Sequence, residues 1–116
     1  MERFSRFQKL NAYRIMWLFV FFDLPTNTKL QRKAYAKFRK EIQGIGFRML
    51  QFSVYIRFCA SSESADVFEK RVQRFLPKSG SVSILRITDK QYSSILNFYG
   101  KEKTDLPGTP QQLELF

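Results

Sequence analysis

The 116-residue chain contains no histidine and only one cysteine, Cys59. Without histidine it cannot build a Ser-His-Asp or Cys-His catalytic site, and it lacks the commonest protein ligand for zinc and copper. A single cysteine excludes an intrachain disulfide and gives no indication of an oxidising compartment. The remaining chemistry depends on carboxylates, hydroxyls, Lys and Arg, and the metal it favours is a hard cation that binds oxygen.

Long apolar runs are also lacking. The run over residues 15–22 is far too short to cross a bilayer. The basic residues Arg3, Arg6 and Lys9 are not followed by a small-residue cleavage site, so no signal peptide is indicated. We therefore expect a cytoplasmic protein that does not enter a membrane. A chain of this length is expected to form a single domain.

Aromatic residues, in contrast, are abundant. They make up 16% of the chain, and there are thirteen Phe within an overall hydrophobic content of 44%. A short chain buries a smaller share of its surface than a long one. We therefore expect a homodimer, in which a second subunit covers part of the apolar surface.

The net charge of +10 is unevenly distributed along the chain. Residues 1–58 carry twelve Lys and Arg against three acids, which gives +9, whereas residues 59–116 carry eight against seven, which gives +1. A basic excess confined to half of a small domain is typical of a protein that binds a polyanion. Nucleic acid is the favoured partner. An anionic membrane surface is the weaker alternative, and ordinary solubilising charge is a third.

The apolar spacing predicts an α+β fold. The expected elements are a buried strand over 16–23, a helix over 28–43, a bent strand or tight hairpin over 47–59 centred on residues 51–53, a second helix from 61 to 76, a strand over 82–88 and one more strand over 95–99. On the first helix, Leu30, Ala34, Phe38 and Ile42 share the apolar side. This order fits a ferredoxin-like βαββαβ sandwich, with an antiparallel sheet, two helices on one face and an extra C-terminal strand.

The domain is expected to span residues 13–100. It would follow a basic N-terminal extension over 1–12 and precede a flexible polar tail over 101–116. Residues 113–116 are apolar enough for an isolated strand that could add to the edge of a partner.

Asp23 is the most informative single residue, because it places a carboxylate at the end of an otherwise apolar strand. Buried carboxylates are costly unless they are paired, hydrogen-bonded or bound to metal. Either Asp23 caps the turn that follows, or it binds a cation. In a two-fold dimer, one Mg²⁺ or Mn²⁺ ion could take a carboxylate from each subunit. Such an ion could polarise a phosphodiester and acidify a bound water.

The first helix also carries a row of cations. We expect this row, together with Arg14, to contact nucleic-acid phosphates: Lys29, Arg32, Lys33, Lys37, Arg39 and Lys40. Like charges one turn apart repel and weaken a helix, and a phosphate backbone would relieve that repulsion. Contacts of this kind are independent of base sequence. The alternative is a solvated helix face without a ligand.

Several motifs agree in order and spacing with a known family. They are Phe22-Asp23-Leu24-Pro25-Thr26, Arg32-Lys33-Ala34-Tyr35 with Lys37-Phe38-Arg39-Lys40, Gly46-Phe47, Gln51-Phe52-Ser53-Val54-Tyr55, and the stretch from Ser83-Ile84-Leu85 through Thr88-Asp89-Lys90-Gln91. Over residues 13–100 the chain resembles the small CRISPR-associated adaptation endonuclease family, the non-integrase partner in spacer capture. The last stretch resembles the version found beside single-protein effectors.

The resemblance implies a ferredoxin-like homodimer that sits between two dimers of the spacer integrase and spans captured double-stranded DNA. It also implies metal-dependent endonuclease activity on RNA or DNA. Asp23 matches the family's metal-binding aspartate and would be the catalytic residue. Ser53 matches a serine of the Gln-Phe-Ser segment, and it would be either an active-site neighbour or a structural residue of a bent strand.

Three hypotheses follow. The chain is an architectural DNA-binding subunit, a metal-dependent nuclease, or a ferredoxin-like module that binds single-stranded RNA without catalysis. The last predicts a monomer whose strand aromatics stack on bases. Phe52 and Tyr55 are candidates for such stacking, although packing in the core or at the dimer interface is the expected role for both.

Overall fold

The fold is taken from a computed structural model that describes residues 14–108. Its elements in chain order are β1 (Met16–Asp23), α1 (Lys29–Gly44), β2 (Arg48–Gln51), β3 (Val54–Cys59), α2 (Ser62–Arg74), β4 (Ser81–Thr88), α3 (Asp89–Ser93), β5 (Asn97–Tyr99) and β6 (Glu102–Thr104). The predicted basic extension over 1–12 and the predicted strand over 113–116 lie outside the described residues.

The main sheet has the strand order β2-β3-β1-β4, and every neighbouring pair is antiparallel. Helix α1 connects β1 to β2, and α2 connects β3 to β4. This connectivity is the ferredoxin-like arrangement, so the predicted α+β fold class is confirmed. The predicted break near residues 51–53 is a tight hairpin between β2 and β3, with a register irregularity between Met49 and Gln51.

Both long helices begin at side chains suited to capping. Thr28 caps α1: its side chain accepts a hydrogen bond from the Gln31 N–H, and the Gln31 side chain accepts one from the Thr28 N–H. Ser61 caps α2 by accepting from the Ser64 N–H. Helix α2 ends at Arg74, two residues before the predicted end at 76.

The helices cover one face of the sheet. Leu18, Val20 and Phe22 alternate along β1 and pack with Phe38 and Ile42 of α1 in a buried cluster. Two further residues predicted on the packing side of α1, Leu30 and Ala34, remain exposed. Tyr35 packs against the sheet instead, with the centroid of its ring 5.8 Å from that of the Phe22 ring.

The opposite face of the sheet is only half covered. At one end, Trp17 stacks on Tyr92 of α3 with ring centroids 3.8 Å apart, and its Nε1 donates a 2.7 Å hydrogen bond to Asp89 Oδ1. Leu106 is buried in the same cluster. At the other end, Phe21 is 38% exposed and Leu85 is 47% exposed. We call Phe21, Leu85 and the half-buried Val54 the open patch.

The predicted extra C-terminal strand is present as β5, but it pairs with β6 rather than with the main sheet. The domain boundary predicted at residue 100 therefore falls inside this hairpin, and the packed structure continues to the buried Leu106. Within residues 14–108, no helix is long and apolar enough to traverse a bilayer.

Candidate metal centre and nucleic-acid surface

Asp23 is the last residue of β1, and its side chain is exposed. Alternation along the strand places it on the same face as Phe21, at the rim of the open patch. Its register partner in β4 is Ser81. The preceding residue, Gly80, has φ +95°, and a Cβ there would lie 2.9 Å from the Asp23 carbonyl oxygen. Glycine at this position allows β4 to start directly against the end of β1.

The turn after Asp23 is held by other residues. The Gln31 side-chain oxygen accepts hydrogen bonds from the Asn27 N–H at 2.9 Å and from the Thr28 N–H at 3.0 Å. Arg32 Nη1 donates to the Thr26 carbonyl oxygen at 3.1 Å. These contacts hold the turn, so the structure gives no support to the capping alternative for Asp23.

The described residues of one chain do not form a complete set of ligands for an ion. Among residues 14–108, no three or more acidic or cysteine side chains come together as a metal-binding group. A magnesium site nevertheless needs only one or two carboxylates when water and substrate phosphate complete the shell. Asp23 therefore fits a hard divalent cation as one of these carboxylates, and another molecule could supply the second.

Ser53 lies beside the end of β1. Its carbonyl oxygen accepts a 3.1 Å hydrogen bond from the Phe22 N–H, one residue before Asp23. Its φ is +64°, the only positive φ of a non-glycine residue in the described chain. The structure therefore brings Ser53 next to Asp23 along the backbone, and it gives Ser53 a structural role in the β2–β3 turn.

All six cations predicted on α1 are exposed, and so is Arg14, which lies two residues before β1 at the opposite end of that strand from Asp23. Two of the six already have intramolecular contacts. Lys37 Nζ lies 3.8 Å from Glu41 Oε1, and Arg32 is bound to the turn after Asp23. The remaining four extend the row along α1: Lys29, Lys33, Arg39 and Lys40.

The basic surface extends beyond α1. Lys33 and Lys37 line a groove whose other wall includes Arg74 and Lys78, at and just after the end of α2. These two cations were not predicted as part of the surface, because they belong to the nearly neutral half of the chain. Only the packing of α2 beside α1 brings them to the same surface.

Two groups with shifted pKa values lie in the core rather than at this site. Burial raises the pKa of the Cys59 thiol, and the nearby Arg57 opposes that shift only in part. A buried cysteine with a raised pKa is a poor nucleophile. Burial also raises the pKa of Tyr92 to about 12. Neither group belongs to the chemistry at Asp23.

Comparison with known sequences gives a consistent result. The profile of the family described as CRISPR associated protein Cas2 matches residues 16–95. A CRISPR-associated endoribonuclease Cas2 from Flavobacterium psychrophilum is 49% identical over 112 residues, which is 97% of each chain. A protein of the same name from Paracidovorax avenae is 44% identical over 107 residues, covering 92% of this chain and 99% of its own.

The fold also has a solved counterpart. A protein described as "Crystal structure of cas2" superposes with a TM-score of 0.52 and covers 79% of this chain and 97% of its own. The two sequences are 17% identical, so this comparison supports the fold alone.

Proposed function

The chain belongs to the CRISPR-associated Cas2 family, and on that basis we propose that it is a homodimeric nuclease of CRISPR adaptation whose two copies of Asp23 share one Mg²⁺ or Mn²⁺ ion. The curated relatives are named endoribonucleases. Single-stranded RNA is therefore the first substrate to test, and DNA is the second.

The position of Asp23 beside the open patch carries this proposal. Phe21 and Leu85 leave apolar surface exposed on a sheet face whose other half is covered by Tyr92 and Leu106. A second copy packed on the open patch would bury that surface. Because a two-fold interface brings the same surface together from both subunits, it would also bring the two carboxylates toward one another.

The residues around Asp23 suit a phosphodiester substrate. When bound, a divalent ion would supply charge neutralisation at the scissile phosphate and a water of lowered pKa. The role of Asp23 is to hold that ion. The turn after Asp23 is fixed by Gln31 and Arg32, so the carboxylate is held by a preorganised backbone.

We extend the proposal to an architectural role. The exposed cations of α1, with Arg74 and Lys78 beside them, support the binding of a double-stranded DNA backbone without base readout. In this role the homodimer would bridge two dimers of the spacer integrase. We propose a cytoplasmic location, since the nucleic-acid substrates are found there.

The open patch also bears on the alternative of an RNA-binding module without catalysis. That alternative needs aromatic rings on an exposed sheet face. Phe21 is the only ring of the open patch, and its companions Leu85 and Val54 are aliphatic, which favours packing against protein over stacking on bases.

A nuclease assay on the purified chain tests the catalytic part of the proposal. With Mg²⁺ or Mn²⁺ present, Asp23→Asn should reduce cleavage by on the order of 100-fold, because the shared ion loses its charged ligands. Asp105→Asn changes another exposed carboxylate in the same way and should leave the rate within about twofold of the original. Cleavage that persists in a dimeric Asp23→Asn protein would contradict the assignment of Asp23.

A further inference from the structure

Three aromatic rings form a continuous series from the core to the surface at the Asp23 end of β1. Phe22 is buried, and the half-buried Tyr35 of α1 packs on it with ring centroids 5.8 Å apart. Phe52 then stacks on Tyr35, with centroids 6.4 Å apart and ring planes inclined by 27°. Phe52 is 81% exposed, so its contact with Tyr35 leaves most of the ring accessible to a further ring.

The backbone that presents Phe52 is fixed. Phe52 and Ser53 form the tight turn between β2 and β3, and the left-handed conformation of Ser53 sets its direction. The hydrogen bond from the Phe22 N–H to the Ser53 carbonyl oxygen anchors this turn to β1. The exposed ring of Phe52 is therefore presented by a fixed backbone, so stacking of a further ring on it would cost little conformational freedom.

Two cations on α1 lie on either side of Tyr35. Arg32 lies three residues before Tyr35 and Arg39 lies four residues after it, so both are surface neighbours of Tyr35 on the helix. Arg32 is oriented by its hydrogen bonds to the Thr26 and Asn27 carbonyl oxygens, at 3.1 and 3.4 Å. Arg39 is exposed. An accessible ring stacked on a tyrosine that has a guanidinium group on either side along the helix suits a nucleobase with its flanking phosphates.

We propose that Phe52 and Tyr35 form a stacking site for an unpaired nucleobase, and that Arg32 and Arg39 bind the flanking phosphates. This inference rests on the proposed nuclease function and names single-stranded nucleic acid as the ligand class of that surface. In a blunt duplex the faces of the bases are buried against each other, so the bases within the duplex are not free to stack on Phe52. The stacked strand is held at the end of β1 that carries Asp23.

Binding of fluorescent oligonucleotides by the full chain tests the site. The probes are a 12-nucleotide oligo-U RNA, the matching oligo-T DNA and a blunt DNA duplex. Phe52→Ala and Phe52→Leu should each weaken binding of both single strands by about fivefold or more, because stacking on a ring tolerates either sugar. Phe52→Leu keeps an apolar side chain of similar size and removes only the ring. Phe98→Ala, which removes another exposed ring, should change binding by less than twofold.

Photocross-linking gives a second readout that does not depend on affinity. Oligonucleotides that carry 5-iodouracil should cross-link to the tryptic peptide between Arg48 and Arg57, in which Phe52 is the exposed aromatic residue and Tyr55 is buried. Cross-links confined to the peptide that holds Phe98 and Tyr99 would overturn the assignment.

The outcomes separate the inference from the proposed function. If wild-type protein cleaves nucleic acid with Asp23 and binds single strands, but neither Phe52 variant alters that binding, the stacking site is wrong and the nuclease proposal stands. If no probe binds and no cleavage occurs, both are wrong. If Phe52→Ala changes the sedimentation mass while strand binding is unaltered, Phe52 makes a protein contact instead.

Discussion

The Phe22 N–H and the Ser53 carbonyl oxygen are joined by a 3.1 Å hydrogen bond that ties the end of β1 to the β2–β3 turn. Through this bond the residue preceding Asp23 and the residue following Phe52 hold each other in place. The candidate metal ligand and the candidate stacking ring thus share one rigid backbone connection. The bond depends on the left-handed conformation of Ser53, which β-branched residues adopt with difficulty.

Substitution of Ser53 separates a structural role from a catalytic one. Ser53→Gly removes the hydroxyl and suits a φ of +64°, so we expect the free energy of unfolding to change by less than about 1 kcal/mol and cleavage by less than about twofold. Ser53→Val should destabilise the fold by about 1–3 kcal/mol. Urea denaturation measures the first quantity and a nuclease assay the second. Loss of cleavage in a stable Ser53→Gly protein would instead assign chemistry to the hydroxyl.

The open patch predicts the oligomeric state. Sedimentation should give twice the chain mass of 13.8 kDa for the wild type. Leu85→Glu should return the mass to that of a single chain, because a charge would be buried in the interface. Leu30→Glu makes the same change at an exposed site on the helix side and should remain dimeric. A dimer that tolerates Leu85→Glu would show that the subunits meet elsewhere.

The lysines of α1 predict a change in the salt dependence of duplex binding. Neutralising both Lys33 and Lys40 with Gln should weaken binding and reduce the slope of log K against log salt by about 1.8, since each phosphate contact contributes about 0.9. Neutralising Lys101 and Lys103 on the β5–β6 hairpin removes the same net charge elsewhere and should leave the slope nearly unaltered. A slope equal to that of the wild type in the Lys33 and Lys40 double variant would show that these residues of α1 do not contact phosphate.

Tyr92 predicts a loss of stability in alkali. Burial raises its folded-state pKa to about 12 from the ordinary value of 10.0, so the folded protein retains the phenol proton where the unfolded chain releases it. The stabilisation is therefore complete below pH 10 and disappears as the pH rises toward 12. In Tyr92→Phe, the midpoint of urea denaturation should decrease less steeply with pH between pH 10 and 12. The single Trp17, stacked on Tyr92, reports unfolding by fluorescence. An equally steep fall in Tyr92→Phe would assign the alkaline transition to other groups.

The long elements of the domain could be predicted because their local signals agree with their packing. An unbroken apolar run predicted β1, and α1 begins directly after Thr28, a suitable cap. The short C-terminal elements gave no comparable signal. Helix α3 has five residues, and its position is set by contacts distant in sequence, such as the one between Asp89 and Trp17. Sequence periodicity does not report contacts of that kind.

Only part of the candidate site could be predicted from the sequence, because the rest depends on contacts between residues distant in the chain. Asp23 was recognisable as a charge at the end of an apolar strand. The spacing of the α1 cations could not show that Arg32 also holds the turn after Asp23, because that contact depends on the loop conformation. The aromatic contact between Tyr35 and Phe52 joins α1 to the β2–β3 turn, and only the packed structure brings these two rings together.

The stoichiometry of metal binding tests the central claim most directly. Titration of the purified dimer with Mn²⁺, followed by the relaxation of water protons or by calorimetry, should give one ion for every two chains. Asp23→Asn should abolish that binding and leave the sedimentation mass unaltered, whereas Asp105→Asn should bind as the wild type does. One ion for each chain, or unaltered binding by a dimeric Asp23→Asn protein, would contradict an ion shared between two copies of Asp23.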